Sequence, residues 1–141
     1  MRIALRMVTA YTFTPVFNHS QLLVNLGGDL ELAAELAELY QIEGLQLLKQ
    51  LKLAITRNDL ETTHRLVHSL KGASANVAAS QLQQCCLALE TAAHQGDWQT
   101  IREFWRPLPE LFYTFSNHVA GIFSLPVVPT SLQAFEAEYA L

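Results

Sequence analysis

Residues 60–79, LETTHRLVHSLKGASANVAA, decide how this chain folds. At about 100° per residue, Thr63, Leu66, Leu70, Ala73, Ser74 and Val77 gather on one side of a helix. His68 falls opposite that stripe, with Glu61, His64, Lys71, Gly72, Ala75 and Ala79 on its own side. A helix apolar on one side needs other helices to cover it. The reading therefore predicts a helix from about Leu60 to Val77, with the His68 imidazole facing solvent.

The flanking sequence supplies the covering helices. Upstream, Gly27-Gly28-Asp29 reads as a loop ending in an N-cap, with Glu31 at the positive end of the helix dipole. Leu30, Ala33, Leu36, Ala37 and Tyr40 follow at helical spacing. Gln41 to Gly44 is a predicted bend, since glycine weakens a helix interior. Leu45, Leu48, Leu51 and Ile55 carry the apolar face to Arg57, and Asn58-Asp59 reads as a tight joint capped by Asp59.

Downstream, Ser80 with Gln83 reads as a capping box. Leu82, Cys85, Cys86, Leu89 and Ala93 form the next stripe, which Gly96 stops. Asp97 caps a last helix carrying Ile101, Phe104, Trp105 and Leu108. Pro107 and Pro109 must break or kink it before Leu111, Phe112, Phe115 and Val119 resume the pattern. A short helix from Ser20 to Leu26 caps one end. The expected architecture is all-α, an antiparallel up-down-up-down four-helix bundle with that short N-terminal capping helix. Residues 1–17 are read as an extension, 18–120 as the bundle and 121–141 as a tail of unassigned structure.

Composition narrows the function. The chain has 141 residues, enough for one domain, and half of them are hydrophobic, which opposes disorder. Its formal charge is -4 and no run of Lys or Arg occurs, so it lacks the basic surface that nucleic acid requires. No segment approaches the roughly 20 apolar residues of a membrane span. Adjacent cysteines, Cys85 and Cys86, are poor disulfide partners and read as small core residues of a reduced, cytoplasmic protein.

The face around His68 carries the chemistry. Lys71, one turn on, can offer an ammonium to an anion attached to the ring. Gly72, exposed in mid-helix, costs about 1 kcal/mol relative to alanine without an evident structural need. Ala75 keeps the surface low beside it. Such a face suits phosphoryl transfer between proteins, which depends on positioning and charge stabilisation. By itself it also fits an ordinary surface histidine near a lysine.

His68-Ser69-Leu70-Lys71-Gly72-Ala73-Ser74-Ala75-Asn76-Val77 closely resembles the signature of histidine-containing phosphotransfer (HPt) domains of two-component phosphorelays. Gly28-Asp29, Leu45 to Asp59, Leu82, Cys86, Leu89-Glu90 and Gly96-Asp97 extend the similarity over roughly residues 17–119. The resemblance implies that His68 is the phospho-acceptor, that Lys71 stabilises the phosphate and that Gly72 leaves room for a partner. His64, Gly72, Ala75, Ala79, Gln83 and Gln84 would form the docking patch, with Gln83 or Gln84 offering a hydrogen bond near the phosphate. The partners would be receiver domains of a hybrid sensor kinase, a response regulator or both. No cofactor is implied for this chain, because the receiver would supply Mg2+, and no kinase activity of its own. Where family members often carry glycine, this chain has Ala78.

Three rivals stand beside that reading. His64 and His68, at i and i+4, could grip a metal ion, although no third ligand is evident. The bundle could be a non-catalytic interaction module. A sensor-kinase dimerisation domain also presents a histidine, but usually with an acidic residue next, where this chain has Ser69. A monomer is expected, because a bundle of this size completes its own core. The Met1 start and the tail favour a free-standing protein over a fragment of a larger kinase.

Overall fold

The computed structural model describes residues 17–125. Among these, the chain is an all-helical bundle of six helices: α1 (His19–Asn25), α2 (Leu30–Thr56), α3 (Leu60–Asn76), α4 (Ser80–Gln95), α5 (Trp98–Trp105) and α6 (Leu108–Phe123). No helix among the described residues is long and apolar enough to cross a membrane. The expected extension up to residue 16, and the tail from residue 126 onward, lie outside the described residues.

The helix starts follow from local chemistry. Asp29, Asp59 and Asp97 each accept a hydrogen bond from the backbone amide three residues on, at 3.0, 3.1 and 3.2 Å. Each satisfies one of the amides that the first helical turn leaves unpaired. Asn18 does the same for α1. The capping box expected at Ser80 is not formed. Ala79 occupies the N-cap position without a side-chain bond, and Ser80 Oγ turns back toward the Ala78 carbonyl. Gly96 ends α4 in the left-handed conformation, φ 68°.

The expected bend at Gln41–Gly44 is absent, and α2 runs unbroken for 27 residues. Gly44 is there for packing: a Cβ on it would lie 2.5 Å from Cε2 of the fully buried Phe112. Glycine therefore lets α2 and α6 approach closely. Gln41 adds to that seam by donating to the Ser116 carbonyl at 3.1 Å. The prolines divide the last helical segment as expected. Pro107 precedes α6 and Pro109 lies in its first turn, where a missing amide costs nothing. α6 continues to Phe123, three residues past the expected end of the bundle.

The core lies between α2, α3, α4 and α6, and includes Leu48, Leu51, Leu66, Leu70, Leu89 and Phe112. Val67, which the stripe analysis left out, is fully buried as well. The Ser74 Oγ lies 2.7 Å from the Tyr40 hydroxyl, inside the core. Cys85 and Cys86 are buried and not joined in a disulfide, and the Cys85 thiol donates to the Phe104 carbonyl at 3.4 Å. α1 covers one end of the bundle: Phe17 stacks edge-on against Phe115, and the Asn18 amide donates to the Ala78 carbonyl at 3.0 Å.

Candidate functional site

The site is built on the α3–α4 hairpin, whose helices make the most extensive packing contact in the fold. α3 ends at Asn76, Ala78 turns the chain with φ 56°, and α4 begins after Ala79. The two helices run back along one another with a register centred on that joint. Two pairs of residues equally far from Ala79 meet: His68 with Glu90, and His64 with His94. The same register sets Lys71 level with Leu87 and Ala75 level with Gln83.

His68 projects into solvent, its side chain 67% exposed. Its Nδ1 lies 3.2 Å from Oε2 of Glu90, and the Lys71 ammonium lies 2.9 Å from the same oxygen. One carboxylate oxygen thus holds both the ring and the lysine. The Lys71 hydrogen bond chiefly, and the His68 bond after it, hold the Glu90 carboxyl below the usual range against the opposing effect of partial burial. Glu90 is therefore ionised at neutral pH. An ionised carboxylate only accepts hydrogen bonds, so in the neutral ring Nδ1 carries the proton and Nε2 keeps its lone pair. The nitrogen that Glu90 does not engage is the nucleophilic one.

Glu90 is the site residue that analysis of the α3 face missed, because it belongs to the next helix. The α4 side chain bonded to His68 is Glu90. By helical geometry Gln83 falls on the Glu90 side of α4, with Leu87 and His94, whereas Gln84 lies about 100° further round. Leu87, 54% exposed, adds an apolar contact to this surface that the sequence reading did not include.

Gly72 sits on the exposed face of α3, and a Cβ there would meet nothing within 4 Å. The fold gives no reason for a glycine at that position, in contrast to Gly44. Ala75 is half-buried beside it. Ala79 is a correction. It is fully buried and cannot take part in docking, because α3 stops before it and the rotation per residue no longer applies. His64 is half-buried and pairs with the exposed His94, ring centroids 6.3 Å apart. Among the described residues no group of three His, Cys, Asp or Glu side chains could hold a metal ion, so the metal-bundle rival has no third ligand there.

A helical bundle presenting an oriented, solvent-facing histidine beside a lysine is the arrangement of a phosphoryl carrier. The Hpt domain model matches residues 35–137, most of the chain, and the protein belongs to that family. Its role is accordingly phosphotransfer in two-component signalling. No curated protein and no solved structure shows significant similarity to the chain.

Proposed function

We propose that His68 accepts a phosphoryl group from the aspartyl phosphate of one receiver domain and passes it to the aspartate of another. What carries this reading is the exposed imidazole held through Nδ1 by Glu90, which leaves Nε2 free. In the forward step Nε2 attacks phosphorus, the P–O bond to the aspartate breaks, and the carboxylate leaves. The ring, now bearing phosphorus on Nε2 and hydrogen on Nδ1, becomes cationic, and Glu90 stabilises that charge. The return step is the reverse, with a second aspartate as nucleophile.

Lys71 can turn from Glu90 to the new phosphoryl oxygens, one helical turn from the ring. Mg2+ would come with the receiver, which leaves this chain a carrier without kinase activity. The docking patch would combine His64, Gly72 and Ala75 on α3 with Gln83 and Leu87 on α4. Behind it, α2, α3, α4 and the bent α5–α6 segment would serve as the four antiparallel members of the bundle, since short joints connect neighbours.

The test is incubation with phosphorylated receivers and labelled phosphate. Wild type should acquire an acid-labile label, and His68→Gln should acquire none while its helical circular dichroism is unchanged. A labelled His68→Gln protein would place the acceptor elsewhere.

A further inference from the structure

The α3–α4 hairpin brings a second pair of polar side chains together, one helical turn from His68 and Glu90. His64 and His94 face each other across it, ring centroids 6.3 Å apart and ring planes tilted by 45°. Among the described residues neither ring has a hydrogen-bond or ion-pair partner. The phosphoryl-transfer step uses neither as acid, base or nucleophile.

The two rings line a solvent-open recess together with Leu60, Glu61 and Ala93. Ala93 leaves room between the helices, and among the described residues no lysine or arginine lines the recess. An imidazole nitrogen sits about 2.0–2.1 Å from a bound Zn2+, which puts the centres of two rings on one ion roughly 5–6 Å apart. The observed 6.3 Å lies just beyond that range, and a small turn of the exposed His94 side chain closes the difference.

We propose that His64 and His94 clip a divalent late-transition-metal ion between α3 and α4. Imidazole nitrogen suits Zn2+, Cu2+ and Ni2+, whereas Mg2+ and Ca2+ prefer oxygen. Both donors stand on packed helices, so little ordering is left for the ion to impose. Among the described residues no third side chain is placed to join them, and water fills the remaining positions. The Glu61 carboxylate in the recess favours a cation without ligating it. This site differs from a pairing of His64 with His68 along one helix. There Glu90 already holds His68, and the Lys71 ammonium, 2.9 Å from the same carboxylate oxygen, repels a second cation. The clip would staple the hairpin that carries His68, and it stands or falls independently of the phosphotransfer reading.

Calorimetry of the full chain with ZnCl2 near neutral pH tests the clip. With two of the four ligands of a structural zinc site, one ion should bind with Kd on the order of 10 µM, and Mg2+ should not compete. His64→Gln and His94→Gln should each weaken binding at least about tenfold with unchanged helical circular dichroism. His68→Gln and His118→Gln should bind as wild type does. Zn2+ should move the ring NMR signals of His64 and His94 and leave the proton on Nδ1 of His68. At a hundredfold excess over Kd it should raise Tm by about 5 °C, because only the folded hairpin holds both rings. A Kd weaker than about 1 mM, binding that survives His94→Gln, or binding lost in His68→Gln overturns the proposal.

Discussion

Gly72 offers a clean separation of fold from function. Its Cβ would enter open space, so Gly72→Ala meets no steric cost in the free protein. Alanine gains about 0.8–1.0 kcal/mol over glycine in a helix interior, part of it by restricting the unfolded chain. Gly72→Ala should therefore raise stability by somewhat under 1 kcal/mol, or about 2–4 °C in Tm for a chain of this size. Gly72→Leu should leave the helical content unchanged. In phosphotransfer from a labelled receiver, Gly72→Leu should lower kcat/KM at least about tenfold, equivalent to about 1.4 kcal/mol in the barrier. Gly44→Ala is the control: its methyl strikes the buried Phe112 ring, and overpacking of about 1–3 kcal/mol outweighs the gain in propensity. Wild-type transfer by Gly72→Leu would refute the view that a partner's approach explains this glycine. Loss of stability in Gly72→Ala would show that the fold itself requires it.

Other substitutions probe the ring, the core and the caps. Glu90→Ala should slow phosphoryl acceptance about tenfold, or 1.4 kcal/mol, and 15N NMR of His68 should show mixed tautomers; an unchanged tautomer would remove the orienting role. Ser74→Ala strands the buried Tyr40 hydroxyl and should cost about 1–3 kcal/mol in urea denaturation, part of it recovered by adding Tyr40→Phe. Equal stability of Ser74→Ala and wild type would show that the bond contributes nothing. Hydrogen bonds from Thr62 and Thr100, side chain first, hold the Asp59 and Asp97 carboxyls below the usual range. Their stabilisation is thus present above about pH 4 and lost as pH falls through their folded-state values. Asn still caps but does not titrate, so Asp59→Asn with Asp97→Asn should flatten the dependence of stability on pH below about pH 4. An unchanged slope would refute that assignment.

Most local signals in the sequence were reliable, the capping box read at Ser80 being the exception. Asp29, Asp59 and Asp97 cap the helices they precede, Gly96 stops its helix, and the prolines split the last segment. The His68 face and the exposure of Gly72 followed from rotation along one helix. Features that depend on a neighbouring helix escaped. Gly44 looks like a weak point until the Phe112 ring packs against it. Val67 lies at the edge of the stripe and is fully buried in the assembled bundle. Ala79 was assigned by extending a rotation past the end of its helix. Glu90 could have been found by folding α3 and α4 back about their short joint, which brings it level with His68.

That joint also acts as a ruler. Adding or removing one residue between Asn76 and Ser80 would slide α4 by about 1.5 Å and turn it by about 100° along its own axis. Glu90 would then swing away from the imidazole and His94 away from His64, although each helix would remain intact. Such a frameshift variant would keep a folded hairpin whose histidine has lost its anchor. The length of three buried residues, Val77 to Ala79, thus sets the aim of a side chain on the opposite, wet surface.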